Sequence, residues 1–308
     1  MSAHCHTEPT RDVVAYSAGT ARPRARIPDG ACDCHIHVYD ARFPSARNAT
    51  LCPPDASVAQ YRGLQRRLGI SRAILVTPST YGSDNRCMLA ALAQMGDSAR
   101  GVAVIDGSES DQALQKLHDA GVRGIRLNLS LGVAGTIDDL EPLARRVAEL
   151  GWHVQLLMSP DQLAAIAGLL RKLPNQIVFD HMGRLRPHDA CRHPAHRLML
   201  QLLCEERAWV KLSGGYLLSD TGDVNDPNLD SLAVSFIDAA LERVIWGSDW
   251  PHATASAGRQ PMPDDAHQID RLAGWAGDAR MLERILVINP AMLYGFDDKH
   301  DYIFLKET

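Results

Sequence analysis

The sequence predicts a single α/β domain built as an eight-stranded parallel barrel, the (β/α)8 TIM barrel class. Three observations carry that expectation. Short apolar segments alternate with stretches of helical spacing eight times, glycines close several of the helical stretches, and no linker breaks the alternation after residue 30. Strands that alternate with helices are joined by right-handed crossovers into a parallel sheet. Eight such units close into a barrel of about 250 residues, with room here for extended loops. A doubly wound open sheet is the alternative, but no G-x-G-x-x-G follows the first strand.

The elements follow in order. Residues 31–40 (ACDCHIHVYD) form the first strand, and 57–68 have helical spacing up to Gly69. Strand two is 72–79 (RAILVTPS), then a helix over 85–95; strand three is 101–106 (GVAVID), then a helix over 111–120 stopped by Gly121. Strand four is 122–129 (VRGIRLNL), followed by helix 138–150 and Gly151; strand five is 152–158 (WHVQLLM), followed by 160–173. Strand six is 176–182 (QIVFDHM) before helix 195–207, and strand seven is 209–213 (WVKLS) before helix 229–241. Strand eight is 244–250 (VIWGSDW), with helical segments from 264 to the end. Strands of four to eight residues and helices punctuated by glycine are what the two periods require.

Composition sets the outer limits. The 308 residues are 45% hydrophobic and 22% charged, which excludes a mainly disordered chain, a fibrous repeat or a coiled coil. With 32 basic and 37 acidic residues the formal charge is −5, which gives no general reason to bind nucleic acid or an anionic membrane. No apolar run reaches the 18 or so residues of a membrane span. Residues 1–29 read as an irregular, Arg- and Pro-bearing tail without the apolar core of a secretory signal, and 30–308 as the barrel. His4, Cys5 and His6 in that tail read as polar terminal residues rather than a metal cluster. The seven cysteines are odd in number and mostly far apart, so free thiols and a cytoplasmic location are expected. Cys32 and Cys34 share a strand face, most simply as small buried residues.

Barrel enzymes carry their chemistry at the C-terminal strand ends, on inward-pointing side chains. His35 and His37 are two residues apart on strand one, so they share a face about 6.6 Å apart along it. His181 ends the apolar run of strand six and Asp249 ends that of strand eight. A lone histidine or aspartate in such a place is usually structural. Two adjacent buried imidazoles are costly without partners, and three imidazoles with one carboxylate at one mouth can hold a divalent metal, activate water or polarise a carbonyl.

The segments DCHIHVYD, GIRLNL, GWHVQL, FDHMGR, WVKLSG, VIWGSDWPH and NPAMLYGF resemble the amidohydrolase superfamily. More narrowly they are similar to its lactonase-type branch, which acts on sugar-acid, muconolactone-like and pyrone-carboxylate lactones and includes lactone isomerases of the galactarolactone type. The resemblance runs from about residue 30 to 296. It implies a (β/α)8 barrel with His35, His37, His181 and Asp249 as the catalytic set and Asp249 as general base. Binuclear members carry a Lys or Glu at the end of strand four and a His at the end of strand five. Here strand four ends Asn128-Leu129-Ser130, and His153 lies at the start of strand five, where it reads as structural. The resemblance therefore implies one zinc on His35, His37, His181 and Asp249, or no metal at all.

Substrate contacts are sought around that mouth. Arg126 and Asn128 share the inward parity of strand four, and Arg126 wants a carboxylate or sulfonate, from the protein or from the substrate. Gln155 on strand five, Thr77, Ser79 and Tyr81 after strand two, and Arg184 and Arg186 after His181 are further candidates, with Trp250 and His252 supporting Asp249. The pyrone-dicarboxylate enzymes of the branch place an arginine after strand seven, where this chain reads SGGYLLSD with no arginine. A small-molecule lactone with one acidic group or several hydroxyls is the expected substrate. The expected reaction is water attack, with the histidines polarising the carbonyl. Lactone isomerisation, and zinc-dependent amide hydrolysis or decarboxylation, are the alternatives. Oligomeric state is not legible.

Overall fold

The computed structural model describes residues 13–129, 135–219, 223 and 225–296. The cluster His4, Cys5 and His6, together with Ser130, Asp220 and residues 297–308, lies outside the described residues. Eight strands form one parallel sheet in chain order: β1 (Cys32–Ile36), β2 (Arg72–Val76), β3 (Ala99–Ala103), β4 (Val122–Asn128), β5 (His153–Leu157), β6 (Ile177–Phe179), β7 (Ala208–Leu212) and β8 (Val244–Trp246). Each expected strand forms, and most end a few residues early. The residues left over are the strand-end loops that carry the polar side chains.

Helices lie between the strands, and side-chain caps set the starts of several of them. Ser57 and Gln60 make a capping box at the start of helix Val58–Leu68, which ends at Gly69 in the left-handed conformation. Ser110 and Ser159 cap the helices after β3 and β5. A short helix, Ala253–Ser256, follows β8 and was not expected from the sequence. No helix among the described residues is long and apolar enough to cross a membrane.

Two apolar regions result. One lies between sheet and helices. The other fills the barrel interior with Cys32, Cys34, Ile74, Val76, Val102, Val178, Trp209, Ile245 and Tyr294. Strict alternation would not put Cys34 and His35 on the same side. The register explains how both come inside. Asp33 pairs with Ala73 but Ile36 pairs with Leu75, three steps on β1 against two on β2. That extra residue is a β-bulge, which re-aims the side chains beyond it.

The barrel closes between β8 and β1 by a bridge from Ile36 to Trp250. Closure is tight at Gly247: a Cβ there would lie 2.6 Å from the His35 Cβ and 2.8 Å from its backbone nitrogen. A tolerated Gly→Ala change stabilises by about 0.4–1 kcal/mol. Gly247→Ala is expected to do the reverse, lowering the thermal midpoint and displacing His35; a raised midpoint in a melting experiment would contradict this packing.

Residues 13–31 carry no helix or strand, yet they pack on the barrel. The Trp250 indole donates to the Ala15 carbonyl at 3.0 Å and packs edge-on against Tyr16. Buried Arg67 donates to the Gly19 carbonyl, and Arg24 pairs with Asp270 at 3.1 Å.

Candidate active site

The seam that closes the barrel is also where the strand-end residues meet. The Asp249 amide donates to the His35 carbonyl at 2.9 Å, and the His37 amide donates to the Trp250 carbonyl at 2.8 Å. The backbone of β1 and of the loop after β8 is thereby locked together, with His35, His37 and Asp249 facing one point. His181 joins them from the loop after β6. The Nε2 atoms of His35, His37 and His181 lie 3.6, 3.7 and 3.9 Å from Asp249 Oδ1. The other carboxylate oxygen, Oδ2, accepts from the buried Tyr216 hydroxyl at 2.7 Å. His181 and Asp249 have φ values of 48° and 68°. A left-handed backbone costs an L-residue about 1–2 kcal/mol, and such strain concentrates at functional sites.

A supporting layer holds these groups. Behind Asp249, Asp33 accepts from the Ser248 amide at 2.8 Å, the Ser248 hydroxyl at 2.6 Å and the Tyr61 hydroxyl at 3.1 Å. His37 Nδ1 meets the Val76 carbonyl at 2.7 Å, and His181 Nδ1 meets the Ser213 hydroxyl at 2.8 Å. Beneath His35 lies a fully enclosed polar cluster. Asp180 Oδ2 accepts from Arg126 Nε and Gln155 Nε2, both at 2.9 Å. Lys211 Nζ donates to Gln155 Oε1 at 2.7 Å and sits 3.5 Å from Asp180 Oδ1.

Charge follows from these contacts. Burial raises the Asp249 pKa, but the three facing imidazoles and Tyr216 outweigh it and leave it at about 2. Burial also works against the Asp180 carboxylate, but Lys211, His35 and Arg126 hold it well below the usual range. Burial and the Lys211 charge push His35 well down, burial and Arg126 bring His37 to about 4, and burial lowers His181. The set is therefore a carboxylate among neutral imidazoles.

A pH dependence of stability follows. His37 and His153 titrate at about 4 and about 3 in the fold against 6.5 in an open chain. Between those values the unfolded chain binds protons that the fold does not, so stability is lost as pH falls from 6.5 toward 4. Asp33, raised by burial from 3.8 to about 6, acts oppositely, since there the fold holds a proton that the unfolded chain releases. Asp33 and His252, whose pKa is raised, stand against these two rings plus His35 and His181. The urea midpoint is expected to drop between pH 6.5 and 4; a rise across that window would refute these protonation states.

The other sequence candidates separate into groups. Arg126 is buried, and its carboxylate partner is Asp180. Gln155 pairs in register with Arg126, is fully buried, and spends its amide on Asp180 and Lys211. Tyr81 exchanges hydrogen bonds with the Asp40 backbone, and Thr77 donates to Asn85. Ser79 opens a short turn and is half-buried, and Asn128 is buried at the end of β4. Arg184 is half-buried and electrostatically linked to Arg126, Arg186 and Asp249. It also lines a cavity of about 690 Å³ beside the centre, with Arg186, Gln162 and His193. Trp250 is fully buried, and His252 pairs with Asp265 at 3.1 Å, which outweighs burial and raises its pKa. His153 is buried at the far end of the interior, its ring edge-on to Tyr294.

Sequence reading missed Lys211, Asp180 and Tyr216. Lys211 had a visible signal, a lysine at the centre of the apolar strand WVKLS and on the parity of Ser213. Asp180 was masked by its neighbour His181.

By spacing alone the donor set could take a single divalent ion. His35, His37 and Asp249 bring ligand atoms within 4.8 Å of one another, and His35, Asp180 and His181 form a second such group. No second carboxylate or lysine comes from the described end of β4.

Imidazoles gathered around a strand-end carboxylate at the mouth of a parallel barrel define an amidohydrolase-type barrel. The chain belongs to the amidohydrolase family, whose sequence model matches residues 32–296. It is 36% identical to the 2-pyrone-4,6-dicarboxylate hydrolase of Comamonas testosteroni, over 93% of this chain and 97% of that one. It is 31% identical to the 4-sulfomuconolactone hydrolase of Rhizobium radiobacter (89% and 95% covered) and 30% identical to the D-galactarolactone isomerase of Agrobacterium fabrum (92% and 97%). Among solved structures it is similar to a probable 2-pyrone-4,6-dicarboxylic acid hydrolase of Acinetobacter baumannii with citric acid bound, at a TM-score of 0.76 and 28% identity, covering 87% of this chain and 100% of that one.

Proposed function

We propose that this protein is a lactonase that opens the ring of a small organic-acid lactone. The observation that carries the reading is the approach of three Nε2 atoms to one oxygen of Asp249, at 3.6–3.9 Å. The lactone carbonyl oxygen sits among His35, His37 and His181 and is polarised by the ring N–H groups that face it. Asp249 Oδ1 accepts a proton from water as the water oxygen bonds to the carbonyl carbon. The tetrahedral intermediate collapses with cleavage of the bond to the ring oxygen, to which Asp249 returns the proton. Tyr216 keeps Oδ2 occupied, so that Oδ1 is the basic atom.

Arg126, Arg184, Asn128 and Ser79 are the substrate-facing groups of this proposal. Arg126 is already paired with Asp180, so Arg184 is the guanidinium that favours an anionic substrate. Residues 213–219 bring Tyr216 and the buried Leu218 to the loop after β7 and no cation. That favours a lactone with one carboxylate or several hydroxyls over a dicarboxylate. The names of the relatives, two lactone hydrolases and one lactone isomerase, support the substrate class. A zinc ion would need His35, His37, His181 and Asp249 all to present lone pairs, and would then supply Lewis-acid polarisation of the carbonyl.

The test is a lactone panel followed by a pH indicator, before and after chelation. Lactone-dependent acid release supports the reading. A product isomeric with the substrate and no acid would favour isomerisation, in which Asp249 activates a substrate hydroxyl in place of water. Activity only on amides or aromatic acids would contradict both.

A further inference from the structure

We propose that Lys211 is a positioning residue that fixes the proton of His35 on Nε2, turning that ring into a hydrogen-bond donor rather than a metal ligand. This rests on the reading that His35 faces the substrate carbonyl. The argument is one of hydrogen-bond direction. Lys211 Nζ lies 3.2 Å from His35 Nδ1 in hydrogen-bonding geometry. An ammonium has donors only, so Nδ1 must accept. Asp180 Oδ1 lies 3.3 Å from the same Nδ1, so the other end of the hydrogen-bond chain decides which of the two contacts sets the tautomer. A neutral ring whose Nδ1 accepts carries its proton on Nε2.

The far end of the chain gives the same answer independently. The Val76 carbonyl only accepts, so His37 Nδ1, 2.7 Å away, carries a proton and His37 Nε2 is bare. His35 Nε2 and His37 Nε2 are 3.3 Å apart. One of the two must donate, and only His35 has the proton. Lys211, His35, His37 and Val76 thus form one chain running in a single direction.

The lysine is itself held in place. Gln155 gives its amide nitrogen to Asp180 Oδ2, which leaves Oε1 to accept from Lys211 at 2.7 Å. Asp180 Oδ2 is occupied by Gln155 and Arg126, leaving Oδ1 as the lysine's counter-charge at 3.5 Å. Asp180, Gln155 and Lys211 are fully buried and Arg126 nearly so. A metal ligand must present a lone pair. With Lys211 in place, His35 Nε2 carries a proton, given to His37 in the free protein and offered to a lactone carbonyl oxygen in the complex, and this proton opposes a cation. Removing the lysine frees Nδ1 to take the proton toward Asp180 and returns the lone pair to Nε2.

The experiment is nitrogen NMR of the full chain, metal-free and without substrate, with labelled histidine and with the His35 signal assigned by its loss in His35→Gln. Wild-type protein is expected to show His35 protonated on Nε2 and bare on Nδ1. Lys211→Met is expected to move the proton to Nδ1 and to tighten zinc binding in calorimetry by about 10–100-fold, the usual reach of groups behind a metal ligand. A wild-type His35 protonated on Nδ1 overturns the proposal, as does a folded Lys211→Met with an unchanged ring. The wild-type spectrum decides the matter even where the variant does not fold. The readout involves no turnover, so it stands or fails separately from the lactonase reading.

Discussion

Asp249→Asn is expected to lower lactone hydrolysis by about 10²–10⁴-fold, the range supplied by a positioned general base. The substitution isolates the chemistry from the fold. Asn is as much at home as Asp in the left-handed backbone that Asp249 adopts, at φ 68°. Its amide oxygen can still accept the Tyr216 hydroxyl that now reaches Oδ2 at 2.7 Å. What is lost is the basic oxygen that faces the three imidazoles. Initial rates with an unchanged melting curve check this; turnover within a few-fold of wild type would remove Asp249 from the mechanism.

The second large effect is on stability. Asp180 is the counter-charge for both Arg126 and Lys211, with all three side chains almost or entirely buried. Removing one partner of a buried ion pair costs about 3–5 kcal/mol, because the remaining charge stays enclosed and unpaired. Asp180→Ala leaves two such cations within one cluster and is expected to reach that range in urea unfolding. Asp180→Ala combined with Lys211→Met is expected to be less unstable than the sum of the single changes, since each removes a charge that the other leaves stranded. Additive losses would mean that the two groups do not interact as the 3.5 Å separation implies.

The barrel was legible because each strand is a run of apolar residues flanked by turn formers, a local signal. VIWGSDW and QIVFDHM also carry their polar residue near the end of the run, which makes His181 and Asp249 legible as a pair. The bulge in β1 was not legible, since it exists only in the register between β1 and β2. Parity alone places Cys34 and His35 on opposite faces, whereas both reach the interior. Gln155 shows a related limit: parity puts it inside the barrel but does not say that its amide is taken up by Asp180 and Lys211. The packing of residues 13–31 was also hidden, because an irregular segment announces no periodicity even where Ala15 and Gly19 offer carbonyls to buried donors.

The central claim is tested most directly by turnover in heavy-oxygen water, with the product acid analysed by mass spectrometry over a panel of anionic and polyhydroxylated lactones. The account requires lactone-dependent acid release, one solvent oxygen in the new carboxylate, and loss of both in Asp249→Asn. A product without solvent oxygen, or labelled acid formed equally by the variant, would contradict it.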